Sequence, residues 1–448
     1  MINISQISKL DNFVSSSHKL PNEIFEIHFD NSSLNQKALF IAIVGSRYNP
    51  LKNLDIVISS MCKFVVVEDS EDSKLIDSRY LEALCFIKVK NIFRFIEELG
   101  ALVSSDFKNR GGQIIAISGS NGKTTTKEMI KHIFDITKPS SSICTQKNNN
   151  NNLGVPFTMF QIRENTKFAI VELGSNHPGE IKFLCEMLKP DYGLTTNIGD
   201  THLEFFDTRE NVFNEEAYLF HSFEKAFFLN IDDEYLKKLN KNTNVISYGE
   251  NLDADYIINY EKKNILVNNI EIKNSNITGK HNAVNLVAAY IVSKKILGKS
   301  SKELVRACES FIPAQNRSQW IESDSHKIFL DAYNANPSSM IASAEGFLSC
   351  VDDHTKVAFI VGDMNELGSN SSNLHRDVGK WLLEANVGVL IFVGQYVDDY
   401  IEDGVENVYK FSSVDALSPH FIKLVKSCNY LFIKGSRSLQ LERILDIK

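Results

Sequence analysis

The chain has 448 residues, 43% of them hydrophobic and 23% charged, which is an ordinary globular composition and excludes wholesale disorder and a collagen-like or low-complexity chain. At about 100–200 residues per domain, this length predicts about three domains. The 48 Lys and Arg against 56 Asp and Glu leave a formal net charge of −8, which excludes the broad basic surface of a protein that binds nucleic acid or an anionic membrane.

Two further patterns concern the cellular compartment. No apolar run approaches about 18 residues and the start, MINISQISKLDNF, lacks a basic region followed by an apolar one, so we expect neither a membrane span nor a secretory signal. The seven cysteines are scattered and lack C-x-x-C spacing, which predicts reduced, mostly buried thiols rather than disulfides or a zinc site. Together these features predict a cytoplasmic protein.

The first part of the chain predicts a small α/β module. The apolar runs ALFIAIV and KFVVVED read as strands, and the pattern over Asn91–Ser104 predicts a helix. The polar, glycine-containing stretch SSDFKNRGG follows, so we place a domain boundary near Asp106 and an N-terminal domain at residues 1–105.

From Gln113 onward, the pattern is typical of parallel strands in βαβ units. The runs QIIAIS, FAIVEL, YGLTTNI and AFFLNI alternate with amphipathic segments such as Thr124–Phe134. The segment Asp255–Ile277 alternates polar and apolar residues between asparagine-rich turns, which predicts small antiparallel strands. A helical pattern over Ser301–Phe311 ends before Pro313, so we place the middle domain at residues 106–312.

The last part of the chain repeats the α/β pattern. The runs KIFLDAY, KVAFIVG, GVLIFVG and YLFIKG predict parallel strands of a C-terminal domain at residues 313–448. The predicted fold class is therefore α/β in three domains, with mostly parallel sheets in the second and third.

The strongest chemical motif is a glycine-rich turn between a strand and a helix, ISGSNGKTTTKE, at residues 117–128. Gly119 and Gly122 let backbone amides approach phosphate, and the helix N-terminus adds partial positive charge. Lys123 can reach the β and γ oxygens of a nucleotide, and Thr124 can bind magnesium. The spacing is G-x-x-G-K-T, shorter than the common phosphate-loop pattern, and it predicts a nucleotide phosphate site.

Two strand ends offer further magnesium ligands. Glu172 ends the run FAIVEL, and His202 follows the run that ends at Ile198. Carboxyl ends of neighbouring parallel strands converge where α/β sheets bind ligands, so both side chains should lie near the phosphate loop. Either residue alone is more often structural; the combination with the loop favours function.

A third cluster, Asp331-Ala-Tyr-Asn-Ala-Asn336-Pro337, ends another predicted strand. Asn336 can cap a helix that begins at Pro337, and a capped turn explains those two residues fully. It does not explain Asp331, Tyr333 and Asn334, for which we predict a functional role.

These motifs together resemble the Mur ligases, the ATP-dependent amide-forming enzymes of peptidoglycan precursor synthesis. The matching stretches occur in order along most of the chain: GSNGKTTTKE, NNNLGVP, ELGSNHPGEI, TNIGDTHLEFF, GKHNAVNLVAA, DAYNANPSSM, VGDMNELG and KGSR. ELGSNHPGEI and the YNANP stretch favour the MurF branch, which joins D-alanyl-D-alanine to UDP-N-acetylmuramoyl-tripeptide.

The resemblance implies an N-terminal domain for the UDP-sugar, a middle ATPase domain and a Rossmann-like C-terminal domain, acting as a monomer on small molecules with ATP and Mg²⁺, without nucleic acid or membrane. It implies that the loop Gly119, Ser120, Asn121, Gly122, Lys123, Thr124 and Thr125 holds the phosphates. Metal positions match Thr124, Glu172 and His202, while adenine, phosphate and ribose contacts match Asn285, Arg317 and Asp331. The implied substrate-binding residues are Asn151, Asn152, Gly154, Asn334, Asn336, Lys434 and Arg437.

Three positions depart from the family pattern. Glu216 stands where the family usually has a lysine that carbon dioxide carbamylates to a carboxylate, and we hypothesise that Glu216 supplies this charge as a catalytic residue; a surface glutamate is the other interpretation. Ser32 stands where an arginine is expected, and Leu330 replaces the first of two aspartates.

The implied reaction converts a carboxylate to an acyl phosphate, which an amine then attacks. No GxSxG or Cys/His arrangement is present in the sequence, so we expect no covalent enzyme intermediate. Two alternatives stay open: a related ligase that joins another carboxylate and amine, and a nucleotide-binding protein that has lost ligation.

Overall fold

Three β-sheets follow one another along the chain in the computed structural model, which describes residues 1–45, 48–70, 73, 76–239, 243–261, 264–323 and 325–446. The two later sheets are mostly parallel, with helices between the strands, which confirms the predicted α/β class. All seven cysteines are free and only Cys350 is not fully buried, as the sequence predicted.

The first sheet has six strands in the order β1-β3-β4-β5-β6-β2. The four inner strands are parallel, and the two edge strands run antiparallel to their neighbours. The predicted runs ALFIAIV and KFVVVED supply β4 and β5. The strands are β1 Ile2–Asn3, β2 Phe13–Ser16, β3 Ile24–His28, β4 Ala38–Ile41, β5 Phe64–Glu68 and β6 Cys85–Val89, with helices α1 Leu54–Ser59 and α2 Ser78–Ala83.

The second sheet has nine strands in the order β15-β14-β13-β12-β11-β10-β7-β9-β8. From β8 to β13 the strands are parallel, and β13, β14 and β15 form the small antiparallel set predicted for residues 255–277. The strands are β7 Gln113–Ser118, β8 Ser142–Cys144, β9 Phe168–Glu172, β10 Tyr192–Thr195, β11 Ala226–Asn230, β12 Val245–Gly249, β13 Tyr256–Glu261, β14 Asn264–Val267 and β15 Ile270–Ile272.

Helices cover both faces of this second sheet. One helix, α4 (Lys123–Thr137), begins directly after Gly122 of the glycine turn. Another, α9 (Lys280–Leu297), packs a buried, apolar face against α4. The helices are α4 Lys123–Thr137, α5 Gly154–Phe160, α6 Glu180–Leu188, α7 Leu203–Phe206, α8 Arg209–Glu216, α9 Lys280–Leu297 and α10 Ser301–Glu309.

A long helix, α3 (Ile92–Asn109), joins the first two sheets. It begins as predicted, with Asn91 as its side-chain cap, but continues past residue 106, because Val103 and Phe107 extend its buried stripe. A Cβ at Gly100 would lie 3.1 Å from both Pro156 and Met187, so this helix packs closely on the second unit. One continuous apolar core therefore runs from the first sheet into the second.

The third sheet has six strands in the order β16-β17-β21-β18-β19-β20. Only β16 is antiparallel; it precedes the predicted strand and was not expected from the sequence. The elements are β16 Gln319–Glu322, β17 Lys327–Asp331, β18 Val357–Gly362, β19 Val389–Val393, β20 Val408–Phe411 and β21 Tyr430–Lys434, with α11 Pro337–Leu348, α12 Ser371–Glu384, α13 Val397–Tyr400 and α14 Val414–Val425.

The topology places the glycine turn between the ends of two neighbouring parallel strands of the second sheet. Strand β7 is flanked by β10 and β9, so the segments that carry His202 and Glu172 follow the two strands on either side of the turn. Among the described helices, none combines the length and hydropathy that a membrane span requires.

Candidate active site

The glycine turn has the backbone that the sequence predicted. Gly119 and Gly122 have backbone φ angles of +120° and +79°, which residues other than glycine rarely adopt. A Cβ at position 119 would lie 2.2 Å from the Thr196 hydroxyl, so close packing also requires glycine there. Helix α4 begins at Lys123, and its exposed N–H groups form an anion site.

Lys123 is folded back onto this loop. Its ammonium donates to the Gly119 carbonyl and, at 3.4 Å, to the Ser120 carbonyl. It also lies 3.8 Å from Glu216 Oε1. Two of these acceptors are neutral carbonyls and the Glu216 carboxylate is beyond hydrogen-bond distance, so an incoming phosphate can replace the contacts.

Glu216 lies beneath the loop and not on the surface of its helix. The side chain is buried, and its Oε2 accepts the Gly119 N–H at 2.7 Å. Burial raises the pKa of this carboxyl, while Lys123 and the Gly119 N–H act against that rise. The Glu216 backbone carbonyl accepts the Ser118 hydroxyl at 2.9 Å, so the end of α8 is tied to the end of β7 twice.

Thr124 and Glu172 meet at the other side of the loop. Glu172 Oε1 accepts the Thr124 hydroxyl at 3.1 Å and the Asn150 amide at 3.0 Å. Glu172 Oε2 is buried and has no hydrogen-bond partner among the described residues, although the fully buried Lys127 ammonium lies 3.7 Å from it. A buried carboxylate oxygen without a hydrogen bond is costly unless a cation is bound there.

His202 is joined to the C-terminal unit. Its buried Nδ1 lies 2.6 Å from Glu366 Oε2 in an ion-pair contact that lowers the pKa of the Glu366 carboxyl, and this nitrogen has no hydrogen bond within the described chain. The described residues contain no cluster of three or more His, Cys, Asp or Glu side chains around one point. The structure thus brings two of the three predicted metal ligands together and places the third against Glu366.

The asparagine run has a structural and a chemical part. Asn151 Oδ1 accepts the Gly154 N–H at 2.9 Å and so orders the start of α5. Asn152 Oδ1 is buried and lacks a hydrogen-bond partner within the described chain. Asn150, which the sequence did not single out, is the member that contacts Glu172. Its identity is hidden in the sequence because all five residues from Asn148 to Asn152 are asparagine.

Asn285 and Arg317, which are expected to contact adenine and phosphate, have different surroundings. The Asn285 amide lies 2.8 Å from where a Cβ of Gly122 would be, so it is directly against the turn. The Arg317 guanidinium lies over the Tyr333 ring at 3.9 Å from its centre. Thr125 is half-buried in the first turn of α4, and the Ser120 hydroxyl accepts the Gly199 N–H at 2.8 Å.

Asp331 forms a buried network with Lys434. Its Oδ2 accepts the Lys434 ammonium at 2.8 Å and the Ser343 hydroxyl at 2.7 Å, and its Oδ1 accepts the Ser318 N–H at 3.1 Å. Burial opposes ionisation, but Lys434 outweighs it and the pKa of Asp331 is lowered. Lys434 also donates to the Asn334 carbonyl at 2.9 Å.

Two other predicted residues lie at different depths. Asn336 caps α11 as predicted, and its amide also donates to the Asn121 side chain of the loop at 2.8 Å. Asn121 in turn donates to Ser338 at 3.1 Å, so the C-terminal unit touches the phosphate loop directly. Arg437 is half-exposed and pairs with Glu442.

A polar cavity of about 310 Å³ lies beside His202 and Glu366. It is an open cleft lined by α7 of the middle unit and by the loops that follow β18 and β19. Its lining includes Glu204, Met364, Glu366, Ser371, Gln395 and Tyr396. The two carboxylates suit a positively charged group.

Comparison with known proteins agrees with this architecture. The Mur ligase middle domain matches residues 117–293, and the Mur ligase glutamate ligase domain matches residues 316–437. The chain is 30% identical, over 94% of each chain, to the UDP-N-acetylmuramoyl-tripeptide–D-alanyl-D-alanine ligase of Rickettsia prowazekii. It is 25% identical to the protein of the same name from Borreliella burgdorferi, covering 99% of this chain and 96% of the other.

Solved structures give the same relationship. The crystal structure of MurF from Acinetobacter baumannii superimposes with a TM-score of 0.84 at 25% identity, over 99% of this chain and 98% of the other. The MurF ligase of Thermotoga maritima, in complex with ADP, has the same fold with a TM-score of 0.78 at 21% identity, over 94% and 96%. The chain belongs to the Mur ligase family, on its MurF branch.

Proposed function

We propose that this protein is an ATP-dependent ligase that joins D-alanyl-D-alanine to UDP-N-acetylmuramoyl-tripeptide and releases ADP and phosphate. One observation carries the proposal: a glycine turn that presents Lys123 and Thr124 lies beside a buried Glu172 oxygen that lacks a hydrogen bond in the described structure. This is the arrangement that phosphoryl transfer from a nucleotide needs. The names of the relatives support the choice of substrates.

ATP is proposed to bind across the middle and C-terminal units. The turn from Gly119 to Thr125 would hold the phosphates, with Lys123 leaving its carbonyl acceptors to reach them. Asn285, which lies against the turn, is proposed to contact adenine, and Arg317, which is held over the Tyr333 ring, is proposed to contact phosphate. Asp331 is proposed for the ribose, although Lys434 and Ser343 already occupy its Oδ2.

The residues fit a magnesium ion on the Glu172 side of the loop. Mg²⁺ usually takes one or two protein oxygens together with substrate phosphates and waters, which matches a half-site made by Thr124 and Glu172. When bound, Mg²⁺ neutralises charge on the transferring phosphoryl oxygens. We propose His202 as a third protein ligand.

In the proposed reaction, an oxygen of the tripeptide carboxylate attacks the γ-phosphorus of ATP, and ADP leaves. The acyl phosphate is then attacked by the amine of D-alanyl-D-alanine; the amide bond forms, the carbon–oxygen bond to phosphate breaks, and the amine loses a proton. Lys123 stabilises the phosphoryl charge. We propose that the cavity lined by Glu204 and Glu366 receives the ammonium group of the dipeptide, because its two carboxylates suit a positive charge.

Glu216 is proposed to supply the carboxylate that the family usually obtains from a carbamylated lysine. It is buried beneath the phosphate loop, hydrogen-bonded to Gly119 and close to Lys123. A glutamate needs no carbon dioxide, so this ligase should keep its activity when carbon dioxide is removed.

The muramoyl substrate is proposed to bind between the first unit and the asparagine run, with Asn151, Asn152 and Gly154 on the middle side. In the first unit, Asp30 accepts the Ser32 N–H at 2.8 Å and Asn31 donates to the Tyr48 hydroxyl at 3.0 Å. This loop keeps polar groups at the surface although Ser32 replaces an arginine.

The remaining assignments are proposals of the same kind. The domains would be residues 1–105, 106–312 and 313–448, with helix α3 spanning the first boundary. Asn334, Asn336, Lys434 and Arg437 would contribute to the substrate side of the C-terminal unit. We further propose a cytoplasmic monomer that acts on small molecules.

Phosphate release from ATP with Mg²⁺ tests the function. We expect release only when UDP-N-acetylmuramoyl-tripeptide and D-alanyl-D-alanine are both present, with a product heavier by one dipeptide less water in mass spectrometry. If phosphate is released with another carboxylate and amine but not with these two substrates, the protein is a related ligase with a different substrate pair. Nucleotide binding without release under any pair would indicate a non-catalytic relative.

A further inference from the structure

We propose that Glu366 is a positioning residue, supplied by the C-terminal unit, which orients His202 and so completes the metal-binding side of the active site when the two units dock. This inference rests on the proposed function and adds a residue and a coupling to it. The observation behind it is the 2.6 Å contact between His202 Nδ1 and Glu366 Oε2, which joins two units of the chain.

Both residues of the pair have an uncommon backbone. His202 has φ of +50° and Glu366 has φ of +64°, and residues other than glycine rarely adopt positive φ. Such conformations persist where the surrounding structure imposes them, and they concentrate at functional sites. Here two of them face each other across a boundary between units.

The loop that carries Glu366 is held firmly from its own side. The Met364 N–H donates to Nε2 of the buried His375 at 3.0 Å, and the Asn365 N–H donates to the Ser436 hydroxyl at 3.0 Å. Tyr400 adds a bond to the Gly362 carbonyl at 2.8 Å, at the start of the loop. Glu366 is therefore presented by a fixed scaffold.

The same loop is docked on the segment after His202. The Glu204 N–H donates to the Glu366 carbonyl at 3.3 Å. A Cβ at Gly368 would lie 2.9 Å from the Glu204 Cα, so only glycine allows this approach. The backbone contacts bring the two segments together independently of the Glu366 side chain.

The chemistry of the histidine ring gives the pair its role. Its two nitrogens are distinct, and a carboxylate at Nδ1 favours the proton there and leaves the Nε2 lone pair free for a metal. Carboxylate partners of this kind hold the ring orientation of metal-binding histidines. Because Glu366 comes from another unit, His202 is prepared in this way only in the docked arrangement.

Calorimetric binding of a non-hydrolysable ATP analogue, with and without Mg²⁺, tests this role without relying on turnover. Mg²⁺ should increase the affinity of the wild type for the analogue. In E366A we expect this increase to be about tenfold smaller, while the affinity for the analogue without Mg²⁺ stays unchanged. E366Q keeps an oxygen beside Nδ1 but loses the charge, and it should lose less than E366A. E384A, at an exposed glutamate of the same unit, should match the wild type.

Two outcomes would overturn the proposal. One is an unchanged Mg²⁺ gain in E366A. The other is an equal loss of affinity with and without Mg²⁺, which would make Glu366 a docking contact only. Failure of the proposed function is seen separately, as wild-type protein that releases no phosphate with both substrates.

Discussion

Two lysine–carboxylate pairs lie at the carboxyl ends of two parallel sheets, and they differ in how completely they are satisfied. In the middle unit, the Lys123 ammonium lies 3.8 Å from Glu216, and its other polar contacts within the described part of the chain are with backbone carbonyls of its own loop. In the C-terminal unit, the Lys434 ammonium is 2.8 Å from Asp331, whose oxygens also accept from Ser343 and Ser318.

The difference separates a lysine that is ready for a ligand from one that holds a framework. A buried charge whose partners are all in place gains little from a new anion, whereas a loosely paired one gains much. Loss of the first pair should therefore have its larger effect on turnover, and loss of the second should have its larger effect on stability.

The largest expected effect is on turnover, in K123A. Loss of the ammonium removes a charge on the transferring phosphoryl group and should lower kcat by about 10³-fold. The melting temperature should stay near that of the wild type, because Glu216 can take up a proton when its cation is gone. Phosphate release and thermal unfolding check the two parts; full activity in K123A would remove Lys123 from the phosphate site.

The second prediction concerns the other pair. D331N leaves the buried Lys434 without its counter-charge and should lower the free energy of unfolding by about 3–5 kcal/mol. D377N, at an exposed aspartate of the same unit, is the matched control and should change it by less than about 0.5 kcal/mol. Denaturant unfolding measures both, and equal stabilities would show that the Asp331 network is not a framework.

The third prediction concerns His281, which lies near Asp331 and Lys434. Burial lowers the pKa of this histidine to about 4. The unfolded chain binds this proton near pH 6.5, so stability should fall as pH decreases from 6.5 to 4, by about 2–3 kcal/mol from this group. H281N should flatten that part of the profile. A wild-type profile that is already flat there would contradict the buried, neutral histidine.

The smallest expected effect comes from substitution of Glu216. E216Q keeps the Gly119 hydrogen bond but loses the charge beside Lys123, so we expect kcat to fall about tenfold and the Mg²⁺ requirement to rise. E216K should regain activity only with added bicarbonate, while the wild type should be indifferent to it. Identical Mg²⁺ titrations for wild type and E216Q would return Glu216 to a structural role.

How much the sequence predicted depends on how local each feature is. The glycine turn, the strand ends at Glu172 and Asp331 and the Asn336 cap follow from neighbouring residues, and the structure confirms these elements. The contacts of Lys127 and Glu366 could not be predicted, because each joins segments that only the tertiary fold brings together. The strand β16 was missed because it is only four residues long, Gln-Trp-Ile-Glu, and does not alternate between polar and apolar residues.

The unbroken helix α3 has a consequence for how the molecule melts. Because it buries one face in a core shared by the first and second sheets, those two units should unfold as one cooperative block. The C-terminal unit has separate cores and is connected through an extended segment after Glu309. Calorimetry should accordingly record two unfolding transitions, although the molecule has three sheets. ATP should bring the two transition temperatures closer together, since a ligand held between the two blocks stabilises both.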